Sequence, residues 1–327
     1  MITRRQFLGS TTLVAAGAAM GWIAKPERPY TSLEQFREQT TPQIAPITVT
    51  TAAGIRIHAI QTGFVAVKAS HRYFSGPNAL ALPAIVFDPR WTDWMPIYSW
   101  VIEHPEGILV VDTGESSRSL DPEFFNCDPG SRFVYNTLLK FAVGPADEIG
   151  PQMRQLNLAP EDVRWVVQTH LHSDHADGLS HFPNAEIMVS PIDYPNGMGA
   201  LACRYPAWLQ PTLVNFASKP FYNFTESLPL TQAGDVRIVP TPGHALGHQS
   251  ILLQDSEKVY FFAGDASFDE TQLQQGLVAG ISADIPTARQ TLATIRAFCE
   301  QAPTVYLPSH DPASGRRLQQ GQTVLIS

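Results

Sequence analysis

Gln168-Thr169-His170-Leu171-His172-Ser173-Asp174-His175-Ala176-Asp177-Gly178 places three imidazoles and a carboxylate, His170 to His175, directly after the apolar run Trp165–Val167. In extended backbone, side chains two apart share a face, so His170 and His172 can converge on one ion. Asp174 and His175 then turn toward a neighbouring position. Neutral imidazole and carboxylate are ligands for Zn²⁺, and also for Mn, Fe and Co. Four such residues at the end of a buried strand argue against a chance cluster of surface histidines.

Three more candidates lie in the same setting, on loops beside apolar runs. His244 lies in Thr241-Pro242-Gly243-His244-Ala245-Leu246-Gly247-His248, after the run 236–240. Asp265 follows Val259–Ala263 and Gly264, and His310 follows Thr304–Leu307 and Pro308-Ser309. Each alone is weak, because a single His after a strand is more often structural. Together they make five His and two Asp, a set that suits two ions. Two ions ~3.5–4 Å apart can hold one hydroxide between them and polarise a carbonyl or phosphoryl oxygen. No Ser or Cys nucleophile is needed. Asp174 is expected to serve as both ligand and proton shuttle. His248 either supports the site from behind or packs.

The flanking sequence reads as strands and helices in alternation. Strands are expected at Ile55–Gln61 (continuing through Val65 and Val67), Ile97–Glu103, Ile108–Asp112, Trp165–Thr169, Glu186–Ser190, Val236–Pro240, Gln249–Leu253, Val259–Ala263 and Thr304–Leu307. Helical spacing marks Phe133–Ala142, Glu148–Leu156 and Pro286–Cys299, the last with Pro in its first turn. This order suggests a layered α/β protein with sheets inside and helices outside. Two stretches read as insertions, Ser75–Pro96 and Asn196–Thr225. Their apolar residues are candidates for a substrate pocket: Trp91, Trp94, Met95, Trp208, Phe216 and Phe221.

His-x-His-x-Asp-His, a later Gly-His, then Gly-Asp, then Ser-His-Asp resembles the metallo-β-lactamase superfamily, over roughly Ile55 to His310. The resemblance implies an αβ/βα four-layer sandwich with the site at one edge of two packed sheets. It also implies that His170, His172 and His244 hold a first ion, Asp174, His175 and His310 a second, and that Asp265 bridges them. The expected cofactor is two divalent ions, Zn²⁺ first. Val111-Asp112-Thr113-Gly114 matches a further family motif, in which Asp112 orients a ligand.

Within the superfamily the chain looks most like the N-acyl-homoserine lactonases. The metal loop 168–178, the Thr241–Ser250 loop and the stretch from Trp100 to Gly114 carry that likeness. One departure stands out. Lactonases usually place a Tyr three residues after the bridging Asp, its hydroxyl contacting the substrate carbonyl; here that residue is Phe268. The alternative is a phosphotriester or aryl/carboxyl-ester hydrolase of the same fold, for which Phe268 would be a specificity marker. A β-lactamase fits the Thr-Pro-Gly-His-x-x-Gly-His loop poorly. A glyoxalase-II-like thioesterase would want a basic cluster that is not evident. A flavodiiron oxidoreductase would carry Glu where His172 stands. A non-catalytic descendant would have eroded ligands, and all seven are present.

The N-terminus reads as an export signal. Arg4-Arg5 precede Phe7-Leu8 and an acid-free, small-residue stretch to Ala24, as in twin-arginine signals. The expected organisation is a signal at 1–25, a linker or arm at 26–53, and the hydrolase domain at 54–327. Export by the twin-arginine machinery would place the enzyme in the periplasm or outside the cell, or leave it anchored if the signal is not cleaved. Net charge is −8, and beyond residue 25 there are 19 Lys and Arg against 30 Asp and Glu. Such an acidic body repels phosphate backbones, so nucleic acid is excluded as a partner and a small-molecule substrate is expected. Lactonases of this fold often pair, which leaves a homodimer open. Cys127, Cys203 and Cys299 are too few and too scattered for a disulfide framework and read as free thiols, with one disulfide plus a spare thiol as the alternative.

Overall fold

The computed structural model of the protein describes residues 45–121, 123–124, 129–256 and 258–326. The expected signal and the arm up to residue 44 lie outside the described residues, as does Cys127. No helix among the described residues is long and apolar enough to cross a membrane.

The first sheet holds β1 (Ile47–Thr50), β2 (Arg56–Val67), β3 (Met95–His104), β4 (Gly107–Val111), β5 (Leu139–Ala142), β6 (Val163–Val167), β7 (Glu186–Val189) and β8 (Thr212–Leu213). They are ordered β1-β2-β3-β4-β6-β7-β8, with β5 also paired to β2. The second sheet holds β9 (Leu228–Pro229), β10 (Val236–Pro240), β11 (Gln249–Asp255), β12 (Lys258–Gly264) and β13 (Thr304–Pro308), ordered β13-β12-β11-β10-β9. Helices are α1 (Ala69–Arg72), α2 (Ala81–Phe87), α3 (Pro129–Leu138), α4 (Ile149–Gln155), α5 (Ser173–Ala176), α6 (Glu270–Gln275), α7 (Ile285–Gln301) and α8 (Ser314–Gln320).

Strand periodicity sets the layers. Trp100, Ile102, Leu109, Val111 and Trp165 face Ile238, Ile251, Phe262 and Leu307 across the space between the sheets. Their sequence neighbours point outward. Val101, Val110 and Val166 pack with Ile149 and Met153 of α4 on one outer face. Phe261, Leu252 and Tyr306 pack with Leu292, Ile295 and Phe298 of α7 on the other. The result is the expected four-layer αβ/βα sandwich. In α7 the Asp284 side chain caps Thr287 N at 3.0 Å and Pro286 fills the first turn. The helix connects β12 to β13, which run parallel and so need a crossover.

Three sequence expectations change. The helical spacing of Phe133–Ala142 stops at Leu138, and Leu139–Ala142 is instead a strand, antiparallel to Phe64–Val67. Phe141 there is buried among the strand residues Val65, Val67 and Ile97, so packing on the sheet overrides local periodicity. The last part of the expected arm, Ile47–Thr50, is an edge strand paired with Arg56–Ala59. Cys203 is disulfide-bonded, which corrects its reading as a free thiol, whereas Cys299 is free and buried. The spacing of the cysteines could not show this, because a disulfide is made by chain proximity in space.

Candidate metal centre

Strand direction gathers the site. β10, β12 and β13 run the same way, since β11 is antiparallel to both β10 and β12 and β13 is parallel to β12. Their C-terminal loops, carrying His244, Asp265 and His310, therefore leave the second sheet at one edge. β4 and β6 are parallel too, so Asp112 and the 170–175 loop leave the first sheet together. A register shift between Phe262 and Gly264 bends the end of β12. Gly264 has φ +54°, and a Cβ there would lie 2.6 Å from Thr169 Oγ1. Only glycine lets the Asp265 loop close on the His170 loop.

All seven predicted ligands converge. His170, His172 and His244 form one potential metal-holding group, and Asp174, His175 and His310 another. His172 Nδ1 lies 2.9 Å from His170 Nε2 and 3.0 Å from His244 Nε2. Asp265 sits between the groups. Its Oδ2 is 3.3 Å from His244 Nε2, and its Oδ1 is 3.3 Å from both His175 Nε2 and His310 Nε2. Two oxygens aimed at two groups is the geometry a bridging ligand requires. Asp174 Oδ2 lies 3.4 Å from His310 Nε2.

The donor set fits cations. His175 Nε2 and Asp265 Oδ1 are buried and have no hydrogen-bond partner among the described residues. Such atoms are costly unless something absent from a protein-only structure satisfies them. The outward-facing nitrogens of His170, His172 and His310 are already committed, whereas His244 Nδ1 is buried with no partner among the described residues. His170 Nδ1 meets Thr169 Oγ1 at 3.0 Å, His172 Nε2 meets Met198 O at 3.1 Å, and His310 Nδ1 donates to Pro96 O at 2.9 Å. These contacts aim the remaining lone pairs inward.

Asp112 and His248 stand behind the ligands. Asp112 is fully buried; its Oδ1 accepts Thr169 N at 2.7 Å, and its Oδ2 meets Thr169 Oγ1 at 2.9 Å and His175 Nδ1 at 2.8 Å. His248 Nε2 accepts Asp265 N at 3.0 Å, and its Nδ1 meets Thr241 Oγ1 at 2.9 Å. Asp112→Asn replaces one acceptor oxygen by a donor, so it cannot hold both Thr169 and His175. Asn tolerates the φ of +58° found there, which keeps backbone strain out of the result. Metal affinity, read by competition with a chromogenic chelator, is expected to fall about 10–100-fold with the fold intact.

In the metal-free chain, burial drives His170 and His244 well below the ordinary imidazole range, and it takes His248 and His71 down to about 3. Burial also pushes His175 down, but Asp265, Asp112 and Asp174 outweigh it and hold that imidazole above the usual value. Asp265 is likewise desolvated, yet His310, His175 and His244 keep it well below the carboxylate range.

A cavity of about 390 Å³ opens over this floor. His172, Asp174, His244, Asp265 and His310 form its polar side; Val65, Val67, Leu82, Met95, Leu139 and Ile281 are among the residues forming its apolar side. Phe268 and Met95 line it. Trp91 and Trp94 line neither this cavity nor its neighbour. Neighbouring residues in a strand face opposite ways: Met95, Val65 and Val67 face the cavity, while Trp94 packs with Ala66 and Ala142 behind them. Trp91 lies under the ammonium groups of Lys68 and Lys140. Trp208 is exposed, Phe216 packs on the inter-sheet core, and Phe221 packs near Phe298. The sequence reading missed His71, Tyr135 and Met198, all on the cavity wall. They lie far from the metal motifs in sequence, and no local pattern marks them.

The sandwich and its edge site define a metal-dependent hydrolase. Residues 92–310 match the metallo-β-lactamase superfamily, and the chain belongs to it. It is 26% identical over 234 residues to the N-acyl homoserine lactonase AttM of Rhizobium johnstonii, spanning 67% of this chain and 83% of that one. Its fold resembles a B. thuringiensis AiiA variant solved with N-decanoyl-L-homoserine in the active site (TM-score 0.64, 17% identity, 87% and 99% of the two chains). It also resembles AidC, a dizinc quorum-quenching lactonase (TM-score 0.55, 15% identity, 83% and 92%).

Proposed function

We propose that this enzyme opens N-acyl-homoserine lactones, with aryl phosphotriesters or carboxyl esters as the second substrate class. The observation that carries the reading is the convergence of five imidazoles and two carboxylates in one cluster, of which His172, His244, His310, Asp174 and Asp265 reach a cavity whose other side is apolar. That arrangement suits a small polar ring with an acyl tail. The likeness to AttM and the dizinc description of AidC support the lactone and zinc. When bound, two divalent ions supply Lewis acidity and a water-derived nucleophile at neutral pH.

The chain's own residues do the rest. Asp174 reaches both the second ligand group and the cavity, so its carboxylate can pass a proton to the leaving alkoxide. The apolar side excludes water and holds the tail. A second cavity of about 390 Å³ shares Leu82, Met198 and Ile281 with the first, giving a long chain somewhere to continue. Phe268 offers no hydroxyl, the feature that favours the second substrate class. Export through the twin-arginine route is part of this reading, and a disulfide at Cys203 supports it, because such bonds persist in oxidising compartments.

The test is proton release by the zinc-loaded chain on a short- and a long-chain acyl-homoserine lactone and on an aryl phosphotriester. Lactone opening that is abolished in Asp265→Ala is the expected result. Turnover of the phosphotriester alone would transfer the enzyme to the second class. Turnover of neither, with metal bound, would reject both.

A further inference from the structure

We infer that His71 is the hydrogen-bond donor that meets the substrate's carbonyl or phosphoryl oxygen from the cavity wall beside Phe268; this rests on the hydrolase reading above. Seven lining residues of the cavity carry polar side chains. Five of them are metal ligands, and the Tyr135 hydroxyl already donates to Gly199 O at 2.8 Å. His71 is the one left. It is 6% exposed, and its Nδ1 is buried with no hydrogen-bond partner among the described residues. An imidazole in an apolar wall forfeits solvation that a Leu or Phe would not. Whichever tautomer it takes, the ring carries one N–H and one acceptor lone pair.

Its position is fixed on several sides. His71 lies on α1, whose backbone is tied to the loop after α6: Gly280 N donates to His71 O at 2.9 Å. Gln272 joins α1 to the Asp265 loop, donating to Arg72 O at 2.6 Å while its Oε1 accepts Phe268 N at 2.7 Å. Arg72 also reaches Asp269 Oδ2 at 2.5 Å. On the far side, Asp88 accepts Ser70 N at 3.0 Å. The His71 ring stacks on Phe268 at 6.1 Å, and Phe268 in turn lies 5.3 Å from the His310 ring and 5.9 Å from the His244 ring. One apolar ring therefore separates the imidazole from the ligand cluster. A donor carried on a backbone held at these points, its ring against Phe268, needs less reorganisation when charge develops on a substrate oxygen than one on a free loop.

The experiment compares zinc-loaded wild type, His71→Phe and His71→Gln. His71→Phe is expected to retain its zinc content and melting temperature and to lose about 100-fold in kcat, with KM moving much less. His71→Gln keeps an N–H donor and is expected to recover to within about tenfold of wild type. Wild-type kcat in His71→Phe, or loss of zinc in step with activity, would overturn the assignment. A wild type that turns over no lactone, ester or phosphotriester rejects the proposed function instead. Calorimetric binding of N-hexanoyl-L-homoserine and diethyl phosphate then decides on His71. Weakening of about tenfold or more in His71→Phe supports the donor; equal affinity, or no binding by wild type, rejects it.

Discussion

Asp265→Ala is expected to lower kcat/KM by at least about 10³-fold, or roughly 4 kcal/mol of transition-state stabilisation. The size follows from its two oxygens. Oδ2 faces His244 and Oδ1 faces His175 and His310, so one substitution removes a donor from both ligand groups at once. It also deletes the negative charge that balances the cluster. Replacing a residue behind the ligands, such as Asp112, acts only through the orientation of His175 and, by way of Thr169, of His170, and costs less. Zinc content by mass spectrometry is expected to fall alongside activity. A variant with full zinc occupancy and wild-type turnover would show that Asp265 is not shared between the groups. Because Asp265 N still donates to His248, the loop itself is expected to keep its course, which a near-ultraviolet spectrum checks.

Chelation is the second large effect. Removing the metal is expected to abolish turnover and to lower the melting temperature at pH 7, by roughly 4 kcal/mol of stability if zinc is normally present at about a thousandfold above Kd. The metal-free chain then gains a pH dependence with a definite sign. His170, His244, His71 and His248 have depressed imidazole values, so between pH 7 and 5.5 they take up protons on unfolding and not in the folded chain. Stability falls as pH drops through that window, by about 1 kcal/mol for each such group. His175 and His310 are raised instead. Their contribution is fully present only below the ordinary imidazole value and is lost as pH rises through their own higher values, so it grows as pH drops from 7 and, being two groups against four, offsets the fall only in part. Calorimetric scans of chelated protein at pH 7 and 5.5 measure this. A metal-free melting temperature that is flat or rises toward pH 5.5 would contradict the buried, neutral state of these imidazoles. Zinc-loaded protein faces the same direction of change, because protons and metal compete for the ligand atoms.

The candidate metal ligands were legible because each stands next to an apolar strand whose period is itself readable. His170 follows Val163–Val167, Asp265 follows Lys258–Gly264, and His310 follows Thr304–Pro308. Asp112 was legible for the same reason. The substrate wall was not. Trp91 and Trp94 attract attention by size, yet one sits against two lysines and the other behind the cavity. His71, Tyr135 and Met198 reach the cavity from separate parts of the chain, with nothing in their flanking sequence to distinguish them. Leu139–Ala142 likewise has helical spacing and becomes a strand, because the free edge of β2 beside Phe64–Val67 offers backbone partners that a short helix end does not.

The sequence alone determined the layered α/β class, the seven candidate ligands and the chemistry two ions would support. Those properties are local: strand period, residue type and spacing within single loops carry them. Tertiary structure decided which imidazole nitrogen points inward, how Asp265 divides its oxygens, that Cys203 is disulfide-bonded, and which side chains form the cavity. These depend on strand direction and sheet packing, which bring residues from positions 65 to 310 to one edge. Distance along the chain holds no record of that proximity.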